Sequence, residues 1–275
     1  MLKKQTLEVL KKQKEEKFAF IDINKLELLN ELIDNIGVED SETRDGLIYP
    51  NLAHLLHDKH FDEDTLSTVL ETLLDDKHLF YDIEDNIKNS VLTRSFTSLQ
   101  LVILVYVHKR DNIISKDLIY KTFTTFLDYF DKEKHYEGYN DEVGWLHSIA
   151  HSADVFAQFL TIDYFKSNEI EKVFESVMKK FKTKEYYFSH NEDERLIVGI
   201  KKAIQRDILE EAYIIDYIER FSDFEKTQDY PEMFYIKNNI KNFLGTLYFS
   251  LIEEEKYENI TNKIKEVMIN KVKLR

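Results

Sequence analysis

Six glycines and two prolines are spread over 275 residues. Sheets joined by tight turns draw on both residue types, and average usage at this length would supply about 19 glycines and about 14 prolines. Their scarcity predicts helices joined by short polar turns. It also leaves no material for Gly-rich phosphate loops. Neither GxGxxG nor GxxxxGK[ST] occurs, which sets aside dinucleotide and P-loop nucleotide sites.

Apolar residues recur at spacings of three and four along almost the whole chain, the helical period. Leu26, Leu29, Ile33 and Ile36 form one stripe, and Leu66, Val69, Leu70 and Leu73 another. Val91, Phe96, Leu99, Val102, Ile103 and Tyr106 belong to a longer, more apolar helix expected at the centre of the core. Leu118, Thr122, Phe126 and Tyr129 follow, then helical stretches over 146–160, 170–181, 195–209, 213–224, 233–251 and 257–272. Ser41, Asp62, Ser115 and Asp229 stand where an N-cap oxygen is needed. Pro50 is expected to kink or end its preceding segment, and Pro231 to sit in a first helical turn. The breaks are short, so neighbouring helices run antiparallel. No Pro/Gly/Ser-rich linker interrupts the chain. The expected architecture is all-α: a single domain over residues 1–275 of antiparallel helix pairs, stacked as in HEAT-like or α-α superhelical folds.

Charge and composition then exclude several functions. A net charge of -14 repels the phosphate backbone, so nucleic acid is not an expected partner. Zero cysteines rule out disulfides, thiolate metal sites and a cysteine nucleophile, and suit a reducing cytoplasm. Lys11, Lys12, Lys14, Glu15 and Glu16 interrupt any apolar core of a signal peptide near the start. The longest apolar run, Leu101–Val107, falls far short of the roughly 20 residues of a membrane span. The protein is expected in the cytoplasm, with no membrane partner.

One stretch asks for chemistry. Residues 141–160 read DEVGWLHSIAHSADVFAQFL. Drawn as one helix at about 100° per residue, Leu146, Ile149, Ala150, Ala153, Ala157 and Leu160 make a core stripe. His147, His151 and Asp154 fall at its shoulder, with Glu142 and Trp145 upstream. Two histidines four apart on a helix can share a metal, and Asp154 would complete a His/His/Asp set suited to Zn, Mn or Fe. Without a metal, Asp154 would orient a histidine as a general base. The plainer reading is a hydrogen-bonded polar layer between helices. The metalloprotease HExxH motif shares only the two histidines, since position 148 is Ser. Glu192, Glu194 and Arg195, in the run HNEDER, are candidate partners of this site, or simply acids favoured in a helix's first turn. Arg94 lies inside an apolar helix, where an arginine pairs with a carboxylate or joins a site. Arg44-Asp45 reads as a local ion pair of little energetic weight.

These segments together resemble a bacterial family catalogued as domain of unknown function 2785. Gly144-Trp145-Leu146-His147-Ser148-Ile149-Ala150-His151-Ser152-Ala153-Asp154 resembles its most distinctive segment. Arg44-Asp45 with Tyr49-Pro50, Arg94-Ser95-Phe96 with Ser98-Leu99, Glu192-Asp193-Glu194-Arg195-Leu196, and Asn242-Phe243-Leu244 with Leu247-Tyr248 resemble further motifs in the same order. The chain departs from the pattern at Leu146 and Ser152, where the family has Ala and Gly. The resemblance implies a helical, bacterial protein and places the histidines and the HNEDER acids in one site, but carries no activity with it. The expected function is a helical scaffold that binds a partner protein or small ligand through a concave surface including the His147/His151/Asp154 stripe. The acidic surface favours a basic partner or a metal ion. The rival is a metal-dependent hydrolase in which His147, His151 and Asp154 are ligands.

Overall fold

A computed structural model describes residues 2–272 of the chain. The fold is all-α, 66% helical with one two-stranded sheet. Two compact units divide between Val155 and Phe156. The division falls inside a helix rather than at a linker, which is why composition shows no boundary there.

The first unit opens with α1 (Lys4–Glu15) and α2 (Lys25–Ile33). The short α3 (Ser41–Thr43) runs through a π-helical turn (Arg44–Ile48) into α4 (Tyr49–His57), and α5 (Glu63–Leu73) follows. Asp62 caps α5 by accepting the Thr65 N–H at 3.0 Å, as its position predicts. Asp40, rather than Ser41, caps α3. Pro50 lies in the first turn of α4 instead of breaking a segment: a proline's missing N–H costs nothing there.

α6 (Val91–Asp111) is the central helix. Its buried residues, among them Leu92, Ser95, Leu101, Leu104 and Val105, lie all round it. Of the stripe read from the sequence, Val91 and Phe96 are buried as expected and the rest is out of phase. Leu99, Val102 and Ile103 are only half-buried, and Tyr106 is exposed. A run that is apolar on every side has little periodicity from which to choose a face. Among the described residues α6 is the one helix long and apolar enough to cross a membrane, and 72% of that window is buried inside the fold. α7 (Lys116–Lys132) is capped by Ser115 and buries Thr122, Phe126 and Tyr129.

The expected helix over 141–160 begins later than its pattern suggests. Strands β1 (Tyr139–Asn140) and β2 (Gly144–Trp145) pair antiparallel, Tyr139 opposite Trp145, and α8 starts only at Ser148 and ends at Phe159. Two backbone features break the helix: Gly144 at φ 80 and His147 at φ 48, both in the left-handed region. Asn140 adds a local alternative to helical bonding, its side-chain oxygen accepting the Glu142 N–H at 2.8 Å.

The second unit contains α9 (Ser167–Phe181), α10 (Glu192–Gln205), α11 (Glu211–Arg220), α12 (Tyr230–Leu251) and α13 (Glu258–Glu266), with a 3₁₀ turn before α13 and a π-helical turn after it. Phe181, Phe188, Phe221 and Phe243 meet in its core at ring separations of 4.9–5.1 Å. Gly199 lets α10 lie against Ala157, since an added Cβ would stand 3.0 Å from that residue's Cα.

Candidate functional site

Four buried side chains of the first unit organise the hairpin and the start of α8. Arg44 is fully buried. One guanidinium nitrogen donates to the carbonyls of Val38 and Glu39 at 2.9 and 3.0 Å, and the other to the carbonyl of Val143 at 2.7 Å. Asp45 accepts a longer bond at 3.1 Å from the latter nitrogen. Arg44 is therefore a clamp on backbone carbonyls more than half of a local ion pair, and its planar fork suits that task. Its guanidinium also sits 4.8 Å over the Phe96 ring.

Ser95 and His151 act from the other side. The Ser95 hydroxyl donates a short bond to the Leu146 carbonyl, and its oxygen lies 2.8 Å from His151 Nδ1. A serine has one proton. With the Leu146 carbonyl taking it, the serine oxygen accepts from Nδ1–H. The pair is not a base poised on a nucleophile, for which the proton would point at the imidazole. Val143 and Leu146, which bracket Gly144-Trp145, are thus held by buried donors from α6 and from the turn before α4.

His147 precedes α8, and its carbonyl accepts the His151 N–H at 2.8 Å. Its ring stacks on Trp145 at 4.4 Å and 4°, and lies 5.5 Å from the His151 ring at 57°. Both histidines are buried, at 9% and 6% exposure, while Trp145 is 46% exposed and meets Tyr139, 40% exposed, edge-on at 4.9 Å. The histidines therefore form a support behind the surface rather than an open floor. Asp154 lies on α8, half-buried, and Glu142 pairs with Lys88 at 2.5 Å at the exposed turn of the hairpin.

The proposed metal triad of His147, His151 and Asp154 is not assembled. Among the described residues no group of three or more His, Asp or Glu side chains is arranged to hold a metal ion. The expectation assumed one unbroken helix, whereas His147 lies just ahead of α8 in the left-handed region.

Arg94 takes the structural role its setting suggests. It is fully buried and holds Glu133, also fully buried, through two bonds at 2.7 and 3.0 Å. Its remaining donors reach the carbonyls of Tyr81 and Asp82 and the Ser90 hydroxyl. Burial opposes its charge most strongly, but the hydrogen bonds to Glu133 and the charges of Glu133 and Asp85 together outweigh it, so its pKa is raised. Tyr129 donates to the same carboxylate at 3.1 Å, and burial with the Glu133 charge holds its phenol protonated.

Glu192 and Glu194 open α10 in the second unit, where the helix dipole favours acids. Glu194 is exposed; Glu192 is 1% exposed, accepts the His190 N–H at 2.7 Å through Oε2, and has no hydrogen bond at Oε1. Burial raises its pKa. Arg195 is half-buried one turn along the same helix. The aromatic run before α10 is held to α12 by Asn239, which accepts the Phe188 N–H and donates to the Tyr186 carbonyl.

Two features escaped the sequence reading. The clamp role of Arg44 has no local signal, because its partner carbonyl is 99 residues away. The hairpin had one, in Asn140 and Gly144, which the helical spacing of the following residues obscured.

No curated protein and no solved structure matches the chain. Residues 79–249 match a family model. That span includes Arg94, Ser95, the hairpin, α8 and the acids of α10. It covers more than half of the chain, and the protein belongs to the family DUF2785, described as a protein of unknown function.

Proposed function

We propose that this chain is a helical binding protein whose first unit recognises a cationic partner segment through the Tyr139–Trp145 hairpin. One observation carries the reading: an exposed tryptophan, backed by a stacked imidazole, on a hairpin whose backbone is gripped by buried Arg44 and Ser95. A large aromatic side chain left in water is costly unless it is covered in use, and rigid aromatic anchors are typical interface hot spots. The support shell also lowers the ordering cost of binding. The partner's chemistry follows from the surroundings. Asp141 and Glu142 are exposed in the hairpin turn between Tyr139 and Trp145, Glu142 sharing its charge with Lys88, and the chain carries -14 net charge. Aromatic faces flanked by carboxylates favour lysine or arginine side chains.

The test is calorimetric binding of Lys/Arg-rich and Asp/Glu-rich peptide pools to the full chain. The reading predicts saturable binding of the basic pool alone, weakened about tenfold or more by Trp145→Ala. Equal binding of both pools, or binding indifferent to Trp145→Ala, contradicts it.

A further inference from the structure

A cavity of about 590 Å³ opens in the first unit between the turn after α2 (residues 33–39), the turn 77–81 and the start of α6. Its volume lies in the range of small-molecule sites, roughly 300–1,000 Å³. Gly37 shapes one wall. A Cβ there would stand 2.1 Å from Thr93 Oγ1 and 2.7 Å from the Thr93 backbone, so the close seating of this turn on α6 requires glycine.

The other lining residues carry the chemistry. His78 is 5% exposed, and its Nδ1 lies 2.7 Å from Asp75 Oδ1. The same carboxylate oxygen accepts the Lys77 N–H at 2.8 Å, which fixes it beneath the ring. A carboxylate only accepts, so Nδ1 carries a proton and donates it to Asp75, which sets the orientation of the ring. No residue among those described bonds Nε2, and the ring lines the cavity. Tyr81 and Lys77 line the same cavity. An imidazole, a phenol and a lysine thus share the lining with the acidic residues Asp34 and Glu39.

We infer that this cavity binds a small hydroxylated anion: an oxyanion, phosphoryl or carboxylate, with a neighbouring hydroxyl. Lys77 and Tyr81 supply the donors an oxyanion needs. The Asp34 and Glu39 carboxylates accept from hydroxyls, which a bare anion would not offer, and the His78 ring offers Nε2 to the ligand. Asp75 acts as a positioning residue through the imidazole.

The probes are glucose 6-phosphate and malate, with inorganic phosphate and glucose as half-ligands, titrated into the full chain. The readout is the pair of carbon-bound proton resonances of the His78 ring, assigned with His78→Gln. Glucose 6-phosphate or malate is expected to shift them saturably at millimolar concentration, and which one does so identifies a phosphoryl or a carboxylate ligand. Each half-ligand binds about tenfold more weakly or worse. Lys77→Met, at an exposed position that leaves the fold intact, weakens the response about fivefold or more. The inference fails if neither probe shifts these resonances, if the half-ligands do as well as the whole ones, or if Lys77→Met and Tyr81→Phe together leave the response unchanged. Trp145 fluorescence stays constant throughout, which separates this site from the hairpin.

Discussion

Arg94 and Glu133 are both without solvent exposure and share two hydrogen bonds. Such a pair contributes little net stability against apolar replacements, yet removing one member strands a buried charge. Arg94→Met is therefore expected to lower unfolding free energy by about 3–5 kcal/mol. Arg94→Met with Glu133→Leu is expected to recover a large part of that loss in urea titrations. Glu192 gives a prediction of opposite character. Burial raises its pKa, so the folded state holds this proton more tightly than the unfolded chain. Its stabilisation is present below the unfolded value, near 4.5, and is lost as pH rises from there through the raised folded value. Glu192→Gln cannot titrate, so its unfolding free energy is expected to fall less than the wild type's between acidic and neutral pH. A chemical-denaturation series across that range measures the difference. The sequence identified both residues as notable, and burial decided what each does.

At the scale of elements, the caps Asp62, Ser115 and Asp229 and the stripe Leu66, Val69, Leu70 and Leu73 were legible because each depends on residues within a few positions. Leu26, the first member of the α2 stripe, is instead 49% exposed, and Leu28 and Leu32 take the buried face. The largest misreading was the hairpin. The residues of α8 have helical spacing, and only backbone conformation at Gly144 and His147 shows where the helix stops. Gly144 also has Ser41 Cβ 3.3 Å and Arg44 Nη2 3.7 Å from where a Cβ would project. Gly144→Ala combines an unfavourable φ with pressure on the Arg44 clamp. It is expected to cost about 1–3 kcal/mol in thermal or urea unfolding, and to shift Trp145 emission as the hairpin moves. An unchanged emission spectrum would mean that the hairpin is not held through this contact.

For the whole molecule, all-α character was readable from six glycines, two prolines and a near-continuous helical period. The cavity beside His78 was not, because the turn 33–39 lies some 40 to 60 residues before the other lining stretches, and nothing local marks Asp75 and His78 as a pair beside it. The metal reading drew His147 inside the helix, whereas α8 begins only at Ser148, and no metal-holding group of three is found among the described residues. What remains of the His147/His151 motif is a support: Ser95, His151 and His147 hold Trp145 at the surface beside acidic groups. With -14 net charge, recognition of a cationic segment there weakens as salt screens the attraction.

Trp145 is the only tryptophan in the chain, so its fluorescence reports on the proposed surface alone. The most direct measurement is acrylamide quenching of Trp145 in the full chain, with and without a Lys/Arg-rich peptide. Ready quenching in the free protein, and clear protection at saturating peptide that high salt abolishes, is the predicted result. A Trp145 that resists quenching when free, or is quenched equally with peptide bound, would contradict the account.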